Sequence, residues 1–384
     1  MKSRTLKEWF RGNRPWSVRR RVGTLALGLS VLSLLAALAV DGASPGRQPS
    51  DHFNGKRFYN PTLPNFSGPG FSDVFKMFRE GRRSKWPSSV INQGVPRLNE
   101  RLGENDIAIT FVNHATLLIQ TQDINILTDP IWSKRASPLS FIGPGRARLP
   151  GVKFDDLPYI DLVVISHNHY DHLDRKTLKR LHERFAPKVL VAVGDKKLVQ
   201  STGMTDVQEL DWWESVEIRP GITVTFTPTQ HFSARGLFDR QKSLWGSYMI
   251  QNQGRRIYFG GDAAYSTHYA EIRKRLGAPD IALLPIGAYK PRFFMKPMHM
   301  DPAEAVEAHV DLRSTQSIAM HFGTFQMSSE GIEQPLTDLR AALLKKGVSE
   351  ERFVALHEGE TRIYKVMTSD ETNPETRSAF PGNR

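Results

Sequence analysis

An apolar run that stops abruptly in three imidazoles and a carboxylate constrains this chain more than any other stretch. Leu162-Val163-Val164-Ile165 reads as a buried strand, and Ser166-His167-Asn168-His169-Tyr170-Asp171-His172 follows at once. In extended or turning backbone, alternate side chains face the same way, so His167 and His169 converge on one cation. Asp171 and His172 come one turn later and face a second. Imidazole nitrogen and carboxylate oxygen suit zinc, and iron or manganese as well. Leu178, Leu181 and Phe185 recur at helical spacing after Asp174, so the motif lies between a strand and a helix.

Other strand ends supply further donors. Residues 222–227 run into Pro228-Thr229-Gln230-His231, residues 256–259 end in Gly260-Gly261-Asp262, and residues 318–320 lead to His321. Each of these alone is weak, since a histidine after a strand is more often a hydrogen-bonded core residue. Together they fill a pattern. Two catalytic cations need about three protein donors each, a shared bridge and open positions for water. His167, His169 and His231 serve the first cation, Asp171, His172 and His321 the second, and Asp262 bridges them.

Further strands are expected at 107–112, 116–120, 124–128, 188–193, 207–210, 247–250, 281–284, 353–355 and 361–365. His114 falls at a turn between the first two. Helices are expected at 267–276, closed by Gly277, and after Asp301-Pro302-Ala303-Glu304, where an acceptor cap, a first-turn proline and a glutamate have capping-box spacing. Asp129, at the end of a strand and before Pro130, is expected to orient a ligand imidazole.

The chain of 384 residues has no cysteine, which excludes disulfide scaffolds, thiolate metal sites and cysteine nucleophiles. Its net charge of +12 is uneven: the first 21 residues hold eight basic side chains against Glu8 alone. A nucleic-acid partner is therefore not expected from the charge. Residues 22–40 carry no charge and nearly match the length of a hydrocarbon core. With the basic segment 1–21 held in the cytoplasm, they read as an uncleaved anchor, or else a signal sequence. Residues 41–60 read as a linker, 61–365 as the catalytic domain and 366–384 as a disordered tail. This expects a single-pass protein of a bacterial inner membrane, with the catalytic domain periplasmic or exported. Aromatics beside basic residues at 65–100 would suit a lipid headgroup surface, but packing of the aromatics on the domain with the charges solvated is the favoured reading.

The His167-x-His169-x-Asp171-His172 motif, with His231, Asp262 and His321 at these intervals, resembles the metallo-β-lactamase fold. Thr128-Asp129-Pro130, Gly260-Gly261-Asp262, Pro285-Ile286-Gly287-Ala288-Tyr289 and His321-Phe322-Gly323-Thr324-Phe325 narrow the resemblance to the N-acyl-phosphatidylethanolamine-hydrolysing phospholipase D branch, over about residues 51–365. The resemblance implies an α/β protein, a four-layer αβ/βα sandwich with the dinuclear site at one edge of the sheets. It implies two zinc ions and cleavage of a phospholipid phosphodiester by a metal-bridging hydroxide. Asp171 and His299 then count as catalytic. Tyr170, Tyr289, Arg292, Phe293 and His299 are expected to line the substrate pocket. Competing readings are a hydrolase of lactones or soluble phosphodiesters on the same scaffold, and a non-catalytic, membrane-tethered metal- or lipid-binding protein. The oligomeric state is open.

Overall fold

The structure is a computed structural model and describes residues 47–66, 76, 84–98, 102–236 and 238–365. The expected basic segment, anchor and tail lie outside the described residues, as do most of the aromatic and basic positions between 67 and 83. No helix among the described residues is long and apolar enough to cross a membrane.

One sheet contains β1 (Asp106–Asn113), β2 (Thr116–Gln120), β3 (Asn125–Thr128), β4 (Leu162–Val164), β5 (Lys188–Ala192), β6 (Val207–Leu210) and β14 (Thr361–Lys365), in the order β14-β1-β2-β3-β4-β5-β6. The other contains β7 (Ser215–Arg219), β8 (Ile222–Thr227), β9 (Ser247–Asn252), β10 (Arg255–Phe259), β11 (Ile281–Pro285), β12 (Gln316–Met320) and β13 (Phe353–Val354), ordered β13-β12-β11-β10-β9-β8-β7. Both sheets begin antiparallel and turn parallel, from β3 to β6 in one and from β10 to β13 in the other. The parallel strands need crossovers, and helices supply them: α1 (Arg175–Phe185) and α2 (Lys196–Gln200) in the first half, α3 (His268–Leu276), α4 (Arg292–Met295), α5 (Pro302–Leu312) and α6 (Gln334–Lys346) in the second.

The apolar runs separate by alternate residues into two cores. Leu118, Leu127, Val163, Val189 and Val191 face Leu178 and Leu181 of α1 and Leu198 and Val199 of α2. Their neighbours Leu117, Ile119, Ile126, Leu162, Val164 and Leu190 join Phe226, Tyr248 and Phe259 of the other sheet, and that core continues to Ile272, Val306 and Leu339 on α3, α5 and α6. Helices thus cover the outside of two stacked sheets. The Tyr248 hydroxyl ties the sheets together by donating to the carbonyls of Ile165 (2.9 Å) and Leu190 (3.1 Å).

Helix starts follow local chemistry. Asp174 accepts from the Lys176 amide and caps α1, and the Asp301–Glu304 capping box opens α5 with both reciprocal bonds made. Four elements go beyond what the sequence predicts, the short α2 and α4 among them. β7 is an edge strand, and α6 packs through Leu339 and Leu343. The segment between β11 and α5 holds the short α4.

The strand ends at one edge of both sheets supply the histidine and aspartate donors, as parallel α/β sheets present their ligand-binding groups at the carboxyl ends of strands. Two glycines allow the turns to meet there. Gly261 has φ +57°, and a Cβ on it would lie 2.6 Å from the Ser166 Cβ. A Cβ on Gly287 would lie 2.1 Å from the His321 carbonyl oxygen.

Candidate metal centre

Four strand ends converge. The turn after β4 brings His167, His169, Asp171 and His172; the segments after β8, β10 and β12 bring His231, Asp262 and His321. One ligand atom from each of His167, His169, His231 and Asp262 lies within 4.8 Å of the others. The His167 Nε2–His169 Nδ1 distance is 2.8 Å, and His231 Nε2 is 3.3 Å from the same Nδ1. Asp171, His172 and His321 form a second group with the same closeness, joined by His114.

Asp262 lies between the groups. Its Oδ2 is 3.9 Å from His167 Nε2, 3.7 Å from His231 Nε2 and 3.2 Å from His172 Nε2, while Oδ1 is 3.0 Å from His321 Nε2. Yet His172 Nε2, His321 Nε2 and Asp262 Oδ1 are buried without a directed hydrogen bond. Buried polar atoms are normally satisfied. Unsatisfied nitrogen and oxygen lone pairs aimed at common points are the donor set of divalent cations, so the residues present fit two ions.

The electrostatics agree. Burial, reinforced by neighbouring imidazoles, holds His167 well below its ordinary value and takes His169 down to about 3. His231 is lowered by burial as well. These three offer free lone pairs. Burial also opposes charge on His172 and His321, but Asp262, Asp171 and, for His172, Asp129 overcome it; His172 is raised well above its usual range and His321 to about 9. Burial would likewise raise Asp171 and Asp262, and the surrounding imidazoles instead hold both carboxyls well below the usual carboxylate range. In the second group protons therefore occupy the place of a cation and are released when one binds.

A hydrogen-bonded frame orients the donors. Asp129 Oδ2 accepts from His172 Nδ1 (2.6 Å) and from the Ser166 hydroxyl (2.6 Å), and Oδ1 accepts from the Ser166 amide (2.7 Å). Ser166 Oγ is 2.9 Å from His167 Nδ1. The His231 Nδ1 donates to the Met298 carbonyl at 2.9 Å. Asp129 and His321 have positive φ, 33° and 60°, as does His114 at 48°. Such non-glycine residues persist only where surrounding structure overdetermines them, and they cluster at functional sites.

His114, expected only at a turn, belongs to this centre. Its Nε2 is 2.9 Å from Asp171 Oδ2, its amide donates to Thr324 Oγ1 (2.9 Å), and its carbonyl accepts from the His321 amide (2.7 Å). One residue thus fastens ligands from both sheets. The only signal in the sequence was a histidine directly after a strand, the same signal that marked His231 and His321.

The expected substrate residues are placed unevenly. The His299 ring is 5.0 Å from that of His231 and 5.5 Å from that of His321, and its Nδ1, 4.0 Å from Asp262 Oδ2, has no hydrogen-bond partner. The Tyr170 hydroxyl donates to the Arg235 carbonyl (3.0 Å), with the Arg235 guanidinium stacked 3.9 Å from its ring centre. Tyr289 is not brought to the centre: it is buried and its hydroxyl donates to Asp338 (2.6 Å). Arg292 is likewise engaged elsewhere, donating to the His299 carbonyl (2.9 Å) and to Glu304 (2.6 Å), so it fastens the turn that carries His299. Phe293 is half exposed, under the Lys76 ammonium at 4.4 Å. An apolar cluster of Phe66, Phe232, Phe294, Met295, Met298 and Met327 instead packs beside the histidines, with the Phe232 ring 4.6 Å from that of His169.

Beneath the ligand turn, Asn168 donates to Asp195 at 3.0 Å. Burial pushes the Asp195 carboxyl up to about 7, against its bonds to Ser243 and Asn168. A folded-state value above the ordinary 3.8 means that the unfolded chain loses its proton first as pH rises. Stability falls between about pH 4 and 7 and the full cost, roughly 4 kcal/mol, persists above that range. Asp195→Asn is expected to melt with the wild type at pH 4 and higher than it at pH 8; equal melting temperatures at pH 8 would refute this.

Residues 124–322 match the family described as the beta-lactamase superfamily domain. N-acyl-phosphatidylethanolamine-hydrolyzing phospholipase D 1 of Caenorhabditis elegans is 37% identical over 329 residues, covering 80% of this chain and 92% of the relative. The mitochondrial N-acyl-phosphatidylethanolamine-hydrolyzing phospholipase D of Saccharomyces cerevisiae is 34% identical over 218 residues, covering 55% of this chain and 46% of the yeast protein. Among solved structures, an isothiocyanate hydrolase from Delia radicum gut bacteria superposes with a TM-score of 0.55 at 22% identity, over 67% of this chain and all of that one, a likeness of fold. With a matched family spanning half the chain, and converging donors fit for metal, the chain belongs to the β-lactamase superfamily and is a metal-dependent hydrolase of the metallo-β-lactamase fold.

Proposed function

We propose that this enzyme hydrolyses the phosphodiester of an N-acylated phospholipid on the headgroup side, as a zinc-dependent phospholipase D. The observation that carries the reading is the 37% identity to an N-acyl-phosphatidylethanolamine-hydrolyzing enzyme across 92% of that relative's length. The bridging position of Asp262 supports two ions, and the apolar cluster beside the histidines suits an acyl chain. Two bound cations would activate water as the nucleophile and neutralise charge on a phosphoryl oxygen.

The chain's own residues do the rest. His167, His169 and His231 would hold one ion and Asp171, His172 and His321 the other, with Asp262 shared between the groups. Asp129 holds the His172 ring so that Nε2 faces the centre, and His114 steadies Asp171. Burial keeps His299 well below its ordinary value, hence neutral; its Nδ1–H is placed to hydrogen-bond a phosphoryl or leaving oxygen. We read residues 22–40 as the anchor of an inner-membrane protein, and 61–365 as a periplasmic catalytic domain.

The test is metal analysis of purified full-length protein, with a screen of N-acylated phospholipids, soluble phosphodiesters and lactones followed by mass spectrometry. Two equivalents of zinc and release of phosphatidic acid with an N-acylethanolamine are expected. Lactone opening without phosphodiester cleavage would overturn the substrate assignment.

A further inference from the structure

Away from the metal-ligand atoms lies a cleft of about 790 Å³, bordered by Tyr170 and Arg235. Lys134, Arg135, Arg175, Lys176, Lys179 and Arg180 line it. Asp174, the only acidic residue on its wall among the described residues, is already engaged by the Ser133 amide (3.0 Å), the Lys176 amide (3.1 Å) and the Thr177 hydroxyl (2.6 Å). Lys179 and Arg180 approach carboxylates outside the cleft, Glu183 at 3.8 Å and Asp155 at 3.4 Å. The surface is thus strongly cationic within a chain whose charge is otherwise mostly in the first 21 residues.

The same rim carries an apolar projection. Residues 135–145 form a hairpin pinned by the Arg135–Gly145 bridge, the Ala136 amide on the Pro144 carbonyl (3.0 Å) and the Arg135 guanidinium on the Gly143 carbonyl (2.6 Å). Its tip is apolar and in water: Phe141 is 77% exposed and Ile142 56%. The hairpin continues into Leu149, 70% exposed, whose carbonyl accepts from Asn92, next to Ile91, 87% exposed. A pinned backbone that holds large apolar side chains in water beside a cationic surface costs solubility and needs an occupant.

We infer that this face docks on an anionic phospholipid bilayer: Phe141 and Ile142 enter the acyl boundary while the cleft's lysines and arginines meet headgroup phosphates. Cations attract anionic headgroups within a Debye length, and exposed aromatic and aliphatic side chains add burial at the interface. Nucleic acid would engage the cations and leave the apolar tip in water. The inference rests on the proposed lipid substrate only for its purpose, because docking is read without turnover.

The absence of cysteine makes the test direct. Phe141→Cys in the full chain is labelled with an environment-sensitive fluorophore and reconstituted into vesicles of equal parts phosphatidylcholine and phosphatidylglycerol. Leu344→Cys, on α6 and 85% exposed, is the control site. A several-fold rise in emission and quenching by lipid-borne quenchers are expected at 141 and not at 344. Both should vanish in phosphatidylcholine vesicles and in the K134E/K176E/K179E variant, which spares the hairpin-pinning Arg135. Unchanged emission at 141, equal signals at both sites, or a response to duplex DNA and not to vesicles overturns the docking surface. A protein that docks but cleaves no phospholipid overturns the proposed substrate alone. One that cleaves bilayer phospholipid with no contact at 141 overturns the docking alone.

Discussion

Asp262→Ala is expected to abolish hydrolysis and to leave at most one equivalent of tightly bound metal per chain. Asp262 reaches nitrogens of both groups: Oδ2 lies 3.7–3.9 Å from the His231 and His167 nitrogens, and Oδ1 lies 3.0 Å from His321. Removing any single histidine takes a donor from one ion; removing Asp262 takes one from each. The fold should survive, because the donors lie at strand ends while the sheets are held by cores that run between and behind them. The loss also removes the main positive influence on the His172 and His321 pKa values, so both rings become neutral more readily and bury without a stranded charge. Metal content after dialysis, circular dichroism and turnover of the same preparation decide the matter. Two retained equivalents with wild-type turnover would remove Asp262 as the shared ligand.

How far the centre could be read from sequence depends on what kind of signal each residue carried. His167 to His172 stood out because a buried strand cannot end in four unsatisfied polar side chains without a use for them. His231, Asp262 and His321 were legible only as a set, each at a strand end, and the sheet order explains why those ends meet. Asp129 was read as an orienting group from its place beside Pro130, and its carboxylate lies against His172. His114 was passed over because the ligand count was already full, and only the packing of the β1–β2 turn against the β12 turn reveals its contact with Asp171. Tyr289 and Arg292 were close to the site in sequence, but Asp338 and Glu304, far from the motif, turn them away. β7 has the alternating exposure of an edge strand with little apolar pattern to see. α6 has the helical spacing of Leu336, Leu339 and Leu343 but opens at Glu333, which makes no side-chain cap. The fold was therefore readable where burial imposed a period, and less so where long-range hydrogen bonds chose between equivalent local conformations.

The second large effect should come from Asp129→Asn, a change of one atom that leaves shape and volume intact. In the wild type, Oδ2 accepts two hydrogen bonds, from His172 Nδ1 and from the Ser166 hydroxyl, and Oδ1 accepts the Ser166 amide. An asparagine oxygen can keep only one side of this arrangement. If it stays on the Ser166 amide, its NH₂ group faces His172 Nδ1, donor against donor. The imidazole then relieves the conflict by moving its proton to Nε2, the nitrogen 3.2 Å from Asp262 that the second cation would need. The same loss of a tautomer-fixing carboxylate disables the serine-protease histidine when its aspartate becomes asparagine. Outer hydrogen-bond partners of metal-bound histidines are worth about 10–100-fold in affinity or activity. The expected result is a loss of that size in affinity for one of two ions, with the first group, His167, His169 and His231, retaining its metal. Chelator competition separates the two affinities, and ¹⁵N shifts of His172 report which nitrogen carries the proton. Because burial already raises the Asp129 carboxyl, the amide does not cost folding stability, and the melting temperature should change little. Equal weakening of both ions would show that Asp129 supports the turn as a whole; unchanged affinity with an unmoved tautomer would show that His172 is oriented by the chain around it and not by this carboxylate.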